Sequence, residues 1–369
     1  MTDVRLALDV TALLGARTGI GVFTRELVGG LAARPGVDVV AYATSWRGRG
    51  ALAGMLPHTV AVGRPMAARP LRQAWRRLDV PPIEWFTGPV DVVHGPNYVV
   101  PPSRRAGRLV SIHDLTFVHH PELSTADTLE YPALLRRAIA RGAWVHVDAG
   151  FVAAEVIAEY GADPDRVVVI PLAPNPVPDG DLAIGRALAR RDRFVLALGT
   201  VEPRKDLPGL VAAFDALAQE RPEVGLVVAG PDGWGAHALD EAIAASPFSD
   251  RIERLGWVDD HQRSSLLRAA TALAYPSRYE GFGLPPLEAM SVGTPVVTTT
   301  AGALPETCGA GALLVPPGDV DALAAALASV LDDEDVAADL RRRGAARVGE
   351  LSWTRTVDGL LDLYHRIGS

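Results

Sequence analysis

Short, near-continuous apolar runs alternate along the chain with stretches of helical pattern, and this rhythm constrains the fold more than any other feature. In the first half the runs are "VRLALDV", "VDVVAYAT", "VDVVHG", "RLVSIHD" and "RVVVIPL", with helical segments such as "VFTRELVGGLAA" between them. A strand that is apolar on both faces has to be covered on both faces, which a parallel sheet flanked by helices achieves. The pattern predicts βαβ units wound into an open α/β domain. It breaks at "PLAPNPVPDGD", residues 171–181, where four prolines and a glycine leave no periodicity. It restarts with "RFVLALG", "VGLVVAG", "RIERLGWV" and "TPVVTT" as strands and "LPGLVAAFDALAQE" as a helix, while "SSLLRAATALAYPS" runs from helix into strand. The tail from "VDALAAALASVLDD" onward reads as helical.

A length of 369 residues suits two domains at roughly 150 residues each. The expected division is a first domain over 1–172, a linker over 173–192, a second domain over 193–355 and a terminal helix over 356–369 free to pack back on the first domain. Residues 1–180 hold 18 basic and 17 acidic side chains, against 18 and 27 in residues 181–369. That balance lacks the strongly basic face of a nucleic-acid binder. The single cysteine, Cys308, excludes an intrachain disulfide and fits a reducing compartment. The N-terminus reads as a first strand rather than a signal peptide, and no apolar run approaches the ~20 residues that span a bilayer. The expectation is a cytoplasmic protein.

Ligand sites in such domains lie at the carboxyl ends of the strands, so the informative loops are those that follow strands. "LGTVEPRKDL", residues 198–207, follows one strand and precedes a helix, and it contains Lys205, the only lysine in the sequence. Backbone N–H groups and the helix dipole favour an anion there, and Arg204 and Lys205 add two charges. Arginine forks across phosphate oxygens, whereas lysine is a compact point charge that enters where a guanidinium cannot. The alternative is that both merely solvate a helix start.

In "SRYEGFGLPPLEAMSVGTPVV", residues 277–297, Glu280 and Glu288 flank a glycine-bearing loop and a helix opened by Pro285 and Pro286. Glu280 lies beside the backbone N–H groups of Phe282, Gly283 and Leu284, a set able to grip a polyhydroxylated ligand. Glu288 either shares that task or caps its own helix.

"EGFGLPPLE" with "GTVEPRKDL" upstream resembles the donor site of the retaining GT-B glycosyltransferases of family four, and "TGIGVFTREL" and "VSIHDLTFVHHPE" resemble that family's glycine loop and histidine loop. The resemblance covers nearly the whole chain. It implies two Rossmann-like domains facing each other across a cleft, acceptor on the first and nucleotide sugar on the second. It further implies that Arg204 and Lys205 hold the donor diphosphate and Glu288 the ribose hydroxyls. Glu280, with the backbone of Phe282, Gly283 and Leu284, would bind the transferred sugar. His113 would contact it near the C6 hydroxyl, and Gly19 and Gly21 would let the first loop approach the phosphates. From the residues alone, His113 can also be a core histidine bonded to Asp114, although its strand-end position favours the site, and His119 and His120 read as surface residues. One departure stands out: Asp148 occupies the region where the family commonly has a serine.

Two other motifs lead elsewhere. "DPD", residues 163–165, looks like a metal-binding carboxylate pair but sits where turn chemistry explains it. "GIGVFT" lacks the third glycine of a dinucleotide fingerprint, which argues against a dehydrogenase. The implied activity is transfer of a hexose, mannose favoured through GDP-mannose, to a glycan, glycolipid or small-molecule acceptor with retention and with no metal or other cofactor. The alternatives are a nucleotide-sugar epimerase, a sugar phosphorylase or a non-catalytic nucleotide-sugar-binding subunit. Finally, "RPMAARPLRQAWRRL", residues 64–78, sets Arg64, Arg69, Arg72, Arg76 and Arg77 around Met66, Leu71, Trp75 and Leu78. Such a stretch can lie on an anionic membrane, or it can be a solvated helix face with Trp75 turned inward.

Overall fold

The computed structural model describes residues 3–15, 19–46, 48–52, 54–121 and 128–368. Thr18 of the glycine stretch and Glu122 of the histidine stretch lie outside the described residues. The chain divides into two compact units, Met1–Leu172 joined by Leu351–Ser369, and Ala173–Glu350.

In the first unit the order is β1 (Val4–Asp9), α1 (Gly19–Ala32), β2 (Val37–Tyr42), α2 (Arg49–Leu52), β3 (Ala61–Val62), α3 (Ala68–Trp75), α4 (Glu84–Thr87), β4 (Val92–Gly95), β5 (Gly107–Ile112), α5 (Thr116–His119), α6 (Tyr131–Ala140), β6 (Trp144–Val147), α7 (Gly150–Tyr160) and β7 (Val167–Val169). The strands form one parallel sheet in the order β3-β2-β1-β4-β5-β6-β7. Strand β4 is buried along its whole length, as a central parallel strand covered on both faces must be. Helix α3 carries the basic stretch. Met66, Leu71 and Trp75 turn into the core, and the Trp75 indole N–H donates to the Pro81 carbonyl at 3.0 Å. The aromatic anchor that the membrane reading needs is therefore not at the surface.

The second unit runs α8 (Leu182–Ala189), β8 (Arg193–Leu198), α9 (Leu207–Ala218), β9 (Val224–Ala229), α10 (Ala236–Ala245), β10 (Ile252–Gly256), α11 (Asp260–Ala269), β11 (Ala272–Tyr275), α12 (Leu284–Ser291), β12 (Val296–Thr299), α13 (Leu304–Cys308), β13 (Ala312–Val315), α14 (Val320–Asp332) and α15 (Glu334–Gly349). Its six strands are also parallel, in the order β10-β9-β8-β11-β12-β13. The stretch 173–192 is more than a connector. Asp181 caps α8 by accepting from the Ala183 N–H at 2.7 Å, and Gly185 lies so close to the Ser265 backbone of α11 that a Cβ would overlap it.

The last helix, α16 (Trp353–Gly368), belongs to the first unit. Its buried stripe of Val357, Leu360, Leu361 and Tyr364 follows helical spacing. Close approach to α1 depends on Gly30, where a Cβ would stand 2.7 Å from Val357 Cγ2. Arg34 and Asp358 pair at 2.5 Å, and the Thr356 hydroxyl donates to the Pro171 carbonyl at 2.7 Å.

Tyr364 also ends a buried polar chain through the sheet. The Ile170 carbonyl can only accept, so His146 Nε2, 3.0 Å away, carries the hydrogen. Burial pushes the His146 pKa down and keeps the ring neutral, so Nδ1 accepts from the Ser111 hydroxyl at 2.8 Å. Ser111 then accepts from His94 Nε2 at 2.8 Å, and His94 Nδ1 accepts from the Tyr364 hydroxyl at 2.7 Å. His94 is likewise held well below its usual range, first by burial and then by the neighbouring histidines.

Removing the terminal donor leaves a buried ring nitrogen without a partner. Tyr364→Phe is expected to cost about 1–3 kcal/mol of stability, measured as a lower urea midpoint for the first unit's transition. An unchanged midpoint would show that the chain of bonds carries no stability.

Candidate active site

The chain leaves β8 for β9 and β10 on one side, then returns to β11, β12 and β13 on the other. The loops after β8 and β11 therefore diverge and open a crevice at the carboxyl ends of adjacent strands. Arg204 and Lys205 lie in the first loop, and Glu280, Phe282 and Gly283 in the second. Leu284 and Glu288 fall on α12, which the second loop leads into.

Pro203–Lys205 forms one 3-10 turn, and Asp206, at φ 49°, turns the chain into α9. Arg204 lies under Glu280. Its Nε donates to Glu202 at 2.7 Å, while Nη1 donates to the Tyr279 carbonyl at 3.2 Å and pairs with Glu280 Oε1. The same Oε1 accepts from the Tyr275 hydroxyl at 2.7 Å and the Ser277 hydroxyl at 3.0 Å. Burial and the Glu280 charge hold the Tyr275 pKa well above its usual value, so this hydroxyl stays a donor. The Glu280 backbone is fixed as well: its carbonyl accepts from the Ala303 N–H at 2.9 Å, and Gly302, at φ +57°, packs where any Cβ would overlap it.

Lys205 is buried, with its ammonium over the Tyr275 ring at 5.8 Å. Gly199 makes this possible, because a Cβ there would overlap Nζ. Gly199 and Tyr275 thus bound the space that the compact ammonium occupies. Burial first, then the charge of Arg204, push the Lys205 pKa below the ordinary lysine value against the pull of Glu280 and Glu202. Neither cation merely solvates a helix start.

Gly283 caps α12 in a left-handed conformation at φ +97°, and no side chain caps that helix. The capping role for Glu288 is thus excluded. Glu288 is buried, accepts from Asn175 Nδ2 at 2.5 Å and pairs with Arg263 on α11. Sequence reading missed Tyr275, Ser277, Gly199, Asn175 and Arg263. For Ser277 the available signal was a polar residue at the end of an apolar strand. Asn175 and Arg263 gave none, since their partner lies far along the chain.

In the first unit, Gly19 and Gly21 fall in the first turn of α1 rather than in a loop, and Gly21 is buried. His113 follows β5 and bonds not Asp114 but Asp148, through Nδ1 to Oδ2 at 2.7 Å, while Nε2 lies 2.8 Å from the Pro96 carbonyl. Asp148, just after β6, is buried. A carbonyl and a carboxylate both accept, so both ring nitrogens donate and the ring is an imidazolium. Burial alone would lower the His113 pKa. The Asp148 charge and hydrogen bond, with the Pro96 carbonyl and Asp114, outweigh it and raise the net value. The departure at Asp148 thus has a physical role as the counter-ion of His113. His119 pairs with Glu155 at 3.0 Å, and Asp163 accepts from the Asp165 N–H at 3.0 Å as a turn residue.

Comparison with known proteins agrees with this geometry. Residues 17–176 match the model described as Glycosyltransferase Family 4, and residues 185–347 match Glycosyl transferases group 1. The chain is 30% identical over 303 residues to O-antigen chain mannosyltransferase B of Escherichia coli, covering 80% of this chain and 77% of that one. It is 30% identical over 321 residues to the D-inositol 3-phosphate glycosyltransferase of Nocardia farcinica, covering 81% and 70%. In fold it resembles Anabaena HepE, crystallised with UDP-glucose, at a TM-score of 0.71 and 17% identity over 98% of this chain and 100% of that one. The chain belongs to the family 4, group 1 glycosyltransferases, and its two doubly wound units have the GT-B fold.

Proposed function

We propose that this glycosyltransferase moves a hexose, mannose in preference to glucose, from a nucleoside diphosphate sugar to an acceptor hydroxyl, with retention at the anomeric carbon and without a metal ion. The observation that carries the reading is the cation pair of half-buried Arg204 and buried Lys205 tied to Glu280 at the β8–β11 switch point. The mannosyltransferase relative supports mannose, and the sequence resemblance favours GDP over UDP as the leaving group.

The acceptor oxygen attacks the anomeric carbon on the face from which the diphosphate departs. One C–O bond forms as the other breaks, and the acceptor proton passes to the departing phosphate oxygen. Arg204 and Lys205 stabilise the charge that develops there. Glu280 and the N–H groups of Phe282, Gly283 and Leu284 orient the sugar, and Glu288 accepts from the ribose hydroxyls beside Arg263. The resemblance assigns His113 a sugar hydroxyl, to which its imidazolium would donate. A panel of nucleotide sugars, GDP-mannose and UDP-glucose included, tests the reading by hydrolysis and transfer with and without EDTA. The released nucleoside diphosphate and the anomer formed are read directly. An inverted anomer, or activity abolished by EDTA, would overturn it.

Lys205→Ala is expected to lower kcat by on the order of 10²-fold or more with the fold intact. Lys205→Arg is expected to be impaired too, because Nζ already packs against Gly199 and a larger guanidinium there has to displace its neighbours. Full activity in the arginine variant would refute the steric argument.

The two glutamates are expected to separate in calorimetry. Glu288→Gln weakens binding of the free nucleoside diphosphate. Glu280→Gln leaves that affinity unchanged or higher, since it removes a negative charge beside Arg204, yet depresses transfer. Equal losses of diphosphate affinity would contradict the division of roles.

The Asp148 carboxylate raises the His113 pKa, so its removal must lower it. Asp148→Asn is expected to move the alkaline limb of the kcat/KM profile to lower pH as the imidazolium is lost earlier. A profile superimposable on the parent would exclude a charged His113 from the reaction.

A further inference from the structure

The carboxyl edge of the first unit's sheet carries another open site. Trp46, in the loop after β2, is 70% exposed, and Trp85, on α4, is 53% exposed. Together with Arg64, Pro65, Glu84 and Phe86 they line a groove of about 580 Å³, within the range of small-ligand sites. Its frame is fixed. The Arg64 N–H donates to the Phe86 carbonyl at 2.8 Å, Arg64 Nη1 donates to the Trp85 carbonyl at 3.4 Å, and the Ile83 N–H donates to the Pro102 carbonyl at 2.9 Å.

The polar groups of the groove are as specific as its indoles. Glu84 Oε1 accepts from the Ser103 hydroxyl at 2.7 Å and from the N–H groups of Arg104 and Arg105 at 2.9 and 3.1 Å. Burial pulls the Glu84 pKa up, but these hydrogen bonds outweigh it and the net value falls, so the carboxylate is ionised. Its other oxygen, Oε2, is covered and has no donor among the described residues. Arg104 sits over the Trp85 ring at 5.7 Å. Single exposed tryptophans are ordinary, but two in one groove with the Arg64 guanidinium beside them are not.

A pyranose ring offers what this surface lacks: C–H faces that cover an indole and hydroxyls that accept from a guanidinium. An anionic bilayer would gain from the indoles and arginines but would bring its own negative charge against the ionised Glu84. We propose that the groove is a saccharide subsite that holds a pyranose unit of a glycan acceptor other than the unit whose hydroxyl reacts. The role as acceptor subsite rests on the transfer reaction proposed above; saccharide binding itself does not.

The test is titration of the full chain with α-linked mannotriose and with maltotriose, followed by indole fluorescence and by calorimetry. Saturable binding is expected, weakened about tenfold or more in Trp46→Ala and in Trp85→Ala and largely kept in Trp85→Phe. Circular dichroism confirms that each variant folds. Absence of saturable binding by either saccharide overturns the proposal, and so does equal affinity in both alanine variants. Co-sedimentation with phosphatidylglycerol vesicles that depends on Trp46 and Trp85, without saccharide binding, would assign the groove to a membrane surface instead. Hydrolysis of GDP-mannose and UDP-glucose by the unmodified chain is measured in parallel. Its failure would count against the donor reading while the titration still decides the groove.

Discussion

A fully covered parallel sheet leaves no water for a polar side chain, so every polar residue placed in one must find its partner within the protein. Both units pair most such groups toward the carboxyl ends of their strands, although the Tyr42 hydroxyl on β2 is buried with no hydrogen-bond partner among the described residues. In the first, His94, Ser111 and His146 stand on three adjacent strands and hand hydrogen bonds from Tyr364 to the Ile170 carbonyl. In the second, Tyr275 and Ser277 direct their hydroxyls to Glu280, and the Thr298 hydroxyl donates to the Tyr275 carbonyl at 2.7 Å. Position and orientation follow from satisfaction of the buried groups, and the loops that carry chemistry inherit both.

The Glu280 knot shows what such fixing does for catalysis. Arg204 and Lys205 carry two positive charges, and Glu202 and Glu280 lie close enough to act on both. The cations are thus held in place, mostly dry, before any anion arrives. Dipoles and charges that need not reorganise stabilise developing charge better than groups that must be gathered at the moment of reaction. Lys205 adds a second consequence of burial. Its ammonium is destabilised without an anion, so a diphosphate beside it regains energy that the free site lacks.

Much of this was legible in the sequence because it depends on local pattern. The apolar runs gave the strands, and the break near residue 172 fell where the units divide. The loops bearing Arg204, Lys205 and Glu280 follow strands, as the rhythm required. What was not legible depends on partners. Glu288 reads either as a ligand-holding or as a helix-capping residue, and only Asn175 and Arg263, from distant segments, settle that its oxygens do not cap α12. The resemblance placed Gly19 and Gly21 in a loop, yet they form the first turn of α1, whose Phe23 and Leu27 are buried. Trp75 among arginines reads either as a membrane anchor or as an inward-packing residue, and its N–H bond to Pro81 decides for the second. In each case the side chain's chemistry was plain and only its neighbour was hidden.

The return of α16 to the first unit sharpens that distinction. Residues 351–369 are remote in sequence from β4 and β5, yet Tyr364 supplies the donor that closes the histidine chain, and Gly107 lies where a Cβ would overlap Ile367. Until α16 docks, His94 has a buried nitrogen without a donor and α1 has an uncovered groove at Gly30. The first unit is therefore complete only when the whole second unit has been threaded between its parts. Because β5 and β6 run from Ser111 and His146 directly to His113 and Asp148, the same docking that seals the histidine chain also braces the two strands whose ends hold the imidazolium.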